Sequence, residues 1–108
     1  MSEPIRVLHV DDGPGFAEVA ADFLEREDGR FTAETVPSAS EGLDRLANGT
    51  FDCVVSDHDM PETNGIEFLE AVREEDPDLP FILFTGKGSE EAASRAISAG
   101  VTDYIVKG

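Results

Sequence analysis

Two successive aspartates, Asp11 and Asp12, follow the apolar run Ile5 to Val10. Asp57 follows Cys53 to Ser56, Thr85 follows Phe81 to Phe84, and Lys107 follows Tyr104 to Val106. Each polar group stands where a short β-type run ends. Three carboxylates from two adjacent strands repel at close range, and a hard divalent cation such as Mg²⁺, bound through carboxylate oxygens and water, relieves that repulsion. A hydroxyl and an ammonium beside them complete a set suited to holding a phosphoryl group. One carboxylate would act as nucleophile, while cation and lysine neutralise the phosphoryl oxygens. A single acid at a strand end is usually a polar cap, but four strands each delivering a fitting group are not explained that way.

The elements that must position these groups follow from periodicity. Five runs rich in β-branched or aromatic residues, Ile5 to Val10, Phe31 to Val36, Cys53 to Ser56, Phe81 to Phe84 and Tyr104 to Val106, alternate with helical patterns. That alternation predicts a parallel sheet. The first helical pattern is Phe16, Val19, Ala20, Phe23 and Leu24, with Pro14 near its start and Gly29 after its end. The second starts at Ser38, where Glu41 is expected to complete a capping box, buries Leu43, Leu46 and Ala47, and stops near Gly49. The third runs from about Gly65 to Glu75, burying Ile66, Leu69 and Val72, with Pro77 beyond it. The fourth spans roughly Ser89 to Ala99, with Gly100 as its C-terminal punctuation. Right-handed crossovers put helices on both faces of such a sheet, with ligands at the carboxyl ends of its strands.

Asp11-Asp12 after a strand, Asp57-His58-Asp59-Met60-Pro61-Glu62-Thr63-Asn64-Gly65, Thr85-Gly86 and Tyr104-Ile105-Val106-Lys107 form, in this order and spacing, a highly specific combination. It resembles the response-regulator receiver domains of two-component signalling, over all 108 residues. The resemblance implies an α/β, flavodoxin-like (CheY-like) doubly wound sheet of five parallel strands in the order 2-1-3-4-5. It also implies that Asp57 accepts a phosphoryl group from a phosphohistidine on a histidine kinase or phosphotransfer protein. Asp12 and Asp57 would bind Mg²⁺ directly, Asp11 mainly through water, and Asp59 through its backbone carbonyl. Lys107 and Thr85 would contact phosphoryl oxygens, and Thr85 and Tyr104 would move as switch residues, reshaping the face of the fourth helix and fifth strand. Such a domain assists its own phosphorylation and dephosphorylation and turns over no separate substrate.

Beside this site, Met60-Pro61 is expected to shape the loop and Gly65 to permit the turn into the third helix. His58 is expected to point away from Asp57, and His9 to be a packed, hydrogen-bonded residue. Asp59 and Lys87, each two residues past a site residue, are expected to pair at the mouth of the site and slow hydrolysis, adding roughly 0–1 kcal/mol of stability.

Two features depart from the family pattern. Gly108 follows Lys107 where receivers usually have a cis-bonded proline, so a trans bond is expected and the lysine's direction is less fixed. The chain also stops before the family's final helix. The expectation is one domain over residues 1–108, cut before its last helix, with one flank of the sheet partly bare. From Phe84-Thr85-Gly86-Lys87-Gly88 onward the sequence resembles receivers at the front of sensor kinases from salt-adapted archaea, which implies fused sensor or kinase modules and a protein-to-protein output.

A phosphatase of the haloacid dehalogenase type also starts with Asp-x-Asp after an apolar strand, as in Asp57-His58-Asp59. Pro61 stands where that motif takes Thr or Val, and the chain is short for a substrate pocket. A docking module that is never phosphorylated would keep the fold but leave the complete acidic set and Thr85 without a task.

Composition narrows the setting. The 108 residues hold 24 Asp plus Glu against 8 Lys plus Arg, a formal charge of −16 that repels nucleic acid and anionic membrane surfaces. The start lacks a signal peptide's basic and apolar regions, and no apolar run approaches the roughly 20 residues of a membrane helix, so a cytoplasmic domain is expected. Cys53 is the single cysteine, which excludes an internal disulfide and reads as a buried structural thiol. Lys87 and Lys107 are the only lysines, and so large an acidic excess fits a salt-rich cytoplasm, where ions screen self-repulsion. The melting temperature is therefore expected to rise with added KCl; a flat or falling profile would count against salt adaptation.

Overall fold

The structure is a computed structural model describing residues 5–13, 31–60, 62–86 and 90–106. Its strands are β1 (Ile5–Val10), β2 (Phe31–Val36), β3 (Cys53–Asp57), β4 (Phe81–Thr85) and β5 (Asp103–Val106). They form one parallel sheet in the order β2-β1-β3-β4-β5, the order the family resemblance implies. Central β1 buries Val7, Leu8, His9 and Val10 in succession, because a strand covered on both faces has no solvent side to alternate with. Asp57 and Thr85 close their strands from within instead of following them, since pairing continues through Asp57 opposite Phe84 and Thr85 opposite Val106.

Helix α1 (Ala39–Asn48) starts at Ser38, whose side chain accepts a hydrogen bond from the Glu41 backbone N–H at 3.2 Å. Sequence reasoning placed a full capping box here. Among the described residues the full box belongs to α2 (Gly65–Glu75), where the Asn64 side chain accepts from Glu67 N and the Glu67 carboxylate accepts from Asn64 N. The buried face of α1 also differs from expectation. Ala39 and Gly42 are buried, Leu43 and Leu46 are half-buried, and Ala47 is exposed. The cause is steric: a Cβ on Gly42 would lie 2.9 Å from Phe68 Cζ and 3.2 Å from Val10 Cγ2. The closest approach therefore takes the residue without a side chain, and the leucines flank it in a groove shared with Phe51, Val72 and Leu79. Arg45 ties α1 to β2 through Glu34, and this hydrogen bond holds the Glu34 carboxyl below its usual pKa.

Helix α2 buries Ile66, Leu69 and Val72 as expected, and Phe68 besides. At its end Arg73 donates to the carbonyls of Leu79 (2.6 Å) and Gly100 (2.9 Å), joining it to the close of α3 (Glu90–Ala99). Gly100 takes φ +94°, the left-handed turn expected of a glycine there. Ser89 and the first expected helix, with Pro14, Phe16, Val19, Ala20, Phe23, Leu24 and Gly29, lie outside the described residues.

All three described helices pack on one face of the sheet. Leu8, Val10, Val54, Phe81 and Leu83 meet Ala39, Ile66, Phe68, Leu69, Val72 and Ala96 in a single cluster. The Phe68 and Phe81 rings lie 5.5 Å apart at 60°, a tilted geometry worth about 0.5–1.5 kcal/mol beyond burial. Tyr104 packs against this cluster with its hydroxyl buried and without a hydrogen-bond partner among the described residues.

Gly65 was expected to serve the turn through its backbone freedom, but among the described glycines only Gly100 has positive φ. What Gly65 supplies is space. A Cβ there would lie 2.6 Å from the Asp57 carbonyl oxygen and 2.8 Å from His58 Cα, and would collide with the Leu83 side chain. Two of these neighbours are backbone and cannot step aside, so Gly65→Ala is expected to destabilise the fold by about 1–3 kcal/mol in urea unfolding. Tyr104→Phe is expected to do the reverse: it removes a desolvated hydroxyl while keeping the ring, so stability in the same measurement should rise by about 1–3 kcal/mol.

Candidate functional site

The parallel register builds the site. Val10 of β1 lies opposite Ser56 of β3, which brings the residues one step further on, Asp11 and Asp57, to one level at the carboxyl edge. Asp57 is in turn opposite Phe84, and Thr85 opposite Val106. Carboxylate oxygens of Asp11, Asp12 and Asp57 all lie within 4.8 Å of one another, with Asp11 and Asp57 buried and Asp12 exposed. The sequence-based expectation that these three acids converge therefore holds.

Short contacts aim each group. The Asp11 backbone N–H donates to the Val36 carbonyl (3.1 Å), and Asp11 Oδ1 accepts from Gly13 N (2.7 Å). His9 is buried, as expected, with Nε2 4.0 Å from Asp11 Oδ2. Ser56 is fully buried and its hydroxyl donates to the Asp57 carbonyl at 3.0 Å. The Asp59 N–H makes a long 3.4 Å hydrogen bond to Asp57 Oδ1. His58 anchors the loop through its backbone: its N–H donates to Phe84 O at 2.7 Å, and its carbonyl accepts from Met60 N and Gly65 N. Met60 is buried beneath that loop, and Glu62 takes a left-handed φ of 67°, a conformation that costs a non-glycine residue roughly 1–2 kcal/mol. Pro61 lies outside the described residues.

The carboxylate of Asp59 reaches across to the end of β4. Its Oδ2 accepts from the Thr85 hydroxyl (3.3 Å) and from the Gly86 backbone N–H (3.2 Å). Lys87, its expected partner, lies outside the described residues, as do Lys107 and Gly108. Thr85 itself is fully buried and Tyr104 is half-buried on the neighbouring strand. Cys53 is half-buried rather than buried, and its thiol pKa is raised first by that burial and then by the charge of Asp52, which suits packing and not nucleophilic chemistry.

Sequence reasoning missed Ser56, Asn64 and the Gly86 amide. Asn64 carried a readable signal, since Asn-x-x-Glu over 64–67 is the same capping pattern sought at Ser38. The donors of the acidic cluster are all hard carboxylate oxygens, so the residues present fit Mg²⁺.

Comparison with known proteins agrees with this geometry. The family model described as response regulator receiver domain matches residues 7–108. The transcriptional regulatory protein TcrX of Mycobacterium tuberculosis, named as probable, is 33% identical over 97% of this chain and 44% of its own length. The response regulator protein FleR of Pseudomonas aeruginosa is 36% identical over 94% of this chain and 21% of its own. The chain thus spans less than half of the length of these curated relatives. Among solved structures, a CheY-like receiver domain protein from Methanospirillum hungatei aligns with a TM-score of 0.90 at 30% identity, over 97% of this chain and 82% of that one. The response regulator TrrA from Thermotoga maritima, in complex with Mg²⁺ and BeF, gives 0.85 at 29% identity, covering 96% and 87%. With its acidic cluster at the carboxyl edge of a 2-1-3-4-5 sheet and a family match across nearly its whole length, the chain belongs to the response regulator receiver domains.

Proposed function

We infer that this domain is the phosphoacceptor of a two-component relay, with Asp57 taking a phosphoryl group from a phosphohistidine on a histidine kinase or phosphotransfer protein. The observation that carries this reading is the convergence of the Asp11, Asp12 and Asp57 carboxylates at one sheet edge, with the Thr85 hydroxyl on the adjacent strand. An Asp57 carboxylate oxygen attacks phosphorus, an O–P bond forms as the N–P bond breaks, and the imidazole leaves with the electron pair. Asp57 is only 8% exposed, so the nucleophile is screened from bulk water yet within reach of a partner.

Asp12 and Asp57 would hold Mg²⁺ directly, Asp11 through water and Asp59 through its backbone carbonyl. When bound, the ion supplies charge neutralisation for the phosphoryl oxygens. Lys107 would add a second cation and Thr85 a hydrogen bond. The output is a protein contact: Ile97 (70% exposed), Ile105 (36%) and Val106 (49%) present apolar surface on α3 and β5, and the charge of −16 disfavours nucleic acid as a direct partner. Among the described residues no helix is long and apolar enough to cross a membrane, and we place the relay in the cytoplasm.

Intact mass spectrometry after incubation with Mg²⁺ and a small acyl-phosphate donor in high KCl tests the reading. A phosphoryl-sized adduct is expected on the parent, absent from Asp57→Asn and lost when EDTA removes the metal. A folded parent that stays unmodified overturns it.

A further inference from the structure

Asp59 and Thr85 come from different strand ends, and neither was expected to engage the other. In the structure one oxygen, Asp59 Oδ2, accepts two hydrogen bonds at once, from the Thr85 hydroxyl at 3.3 Å and the Gly86 N–H at 3.2 Å. The second bond belongs to the backbone directly after Thr85, so a single carboxylate grips both the side chain and the main chain of the β4 terminus. Its own base is held as well: the Asp59 N–H reaches Asp57 Oδ1, and the Met60 N–H closes a turn onto His58 O at 3.0 Å.

We propose that Asp59 is a positioning residue, a latch that occupies the Thr85 hydroxyl and the Gly86 N–H until an anion on Asp57 competes for them. The proposal rests on the receiver reading above. Thr85 is fully buried, so its hydroxyl reaches few acceptors, and bonding to a phosphoryl oxygen requires giving up the carboxylate. A carboxylate acceptor strengthens such a bond, while the exposure of Asp59 weakens it, leaving a latch that one well-placed anion can open. Asp59 thereby sets how readily the switch residue moves, separately from any contact of its backbone with metal.

The test is a double-mutant cycle read with beryllofluoride and Mg²⁺ as the probe. Asp59→Ala is expected to tighten beryllofluoride binding about 3- to 10-fold, the effect of removing one competing hydrogen bond. Asp59→Asn, which keeps a neutral acceptor, should fall between it and the parent. The decisive arm repeats Asp59→Ala in a Thr85→Val background. With the hydroxyl gone only the Gly86 bond is left to release, so the latch predicts a clearly smaller gain there; acting as a general negative charge near an anion site, the substitution gives the same gain in both backgrounds and overturns the latch. Thr85→Ser, which restores the hydroxyl, should restore the gain. In the unliganded protein, the Gly86 amide proton should shift upfield in Asp59→Ala as its acceptor is lost, and an unmoved resonance also overturns the latch. A folded parent that binds no beryllofluoride overturns the receiver reading itself, a result distinct from either of these.

Discussion

The constraint on which this structure depends is the parallel register that holds three carboxylates within 4.8 Å of one another. Two ionised carboxylates at that separation repel by about 1 kcal/mol in water, and by roughly 3–4 kcal/mol at an effective dielectric near 20. Nothing in the acids themselves would keep them together. Asp11 and Asp57 stay because Val10 lies opposite Ser56 and Asp57 opposite Phe84, so separating these two means disturbing the ladder beneath them.

The elements behind the site resist that repulsion in different ways. Below it, alternate residues of β1, β3 and β4 are fully buried against α2, so β3 cannot slip without turning its apolar face outward. Beside it, Gly65 lets α2 start almost in contact with the Asp57 carbonyl, and the Asn64–Glu67 box fixes the angle of that start. The His58 backbone joins both parts, donating to β4 and accepting from Gly65. The loop after Asp57 is thus short of slack on either side, and the left-handed Glu62 takes up the bend.

Much of this was legible in the sequence. The limits of β1 and β2 and of the third expected helix match the structure, because strong β-branched runs and an uninterrupted 3.6-residue period leave few alternatives. The convergence of Asp11, Asp12 and Asp57 was also legible, since a parallel sheet puts all strand ends on one edge. The face of α1 was not. Periodicity identified Leu43, Leu46 and Ala47 as apolar but carries no term for how closely two elements approach, and at the closest point Gly42 displaces every larger side chain. Nor was the direction of the Asp59 carboxylate, because its acceptors are matched to donors 26 and 27 residues away, a relation that spacing within a motif does not encode.

The polar atoms of the β4–β5 edge differ in kind from those of the acidic cluster. Asp11 and Asp57 stand at the end of the central ladder, whereas Thr85 bonds to a surface carboxylate and the Tyr104 hydroxyl lacks a partner among the described residues. A buried hydroxyl without a partner costs about 1–3 kcal/mol, which any rearrangement that rehydrates it regains. Both lie on neighbouring strands, with Leu83 opposite Tyr104 and Thr85 opposite Val106. These polar contacts lie toward the edge of the sheet, where Ile105 and Val106 of β5 are exposed. On the proposed reading, a change of charge at Asp57, on the central ladder, would be felt at the exposed edge through the polar groups of β4 and β5, without disturbing the ladder that holds the charge.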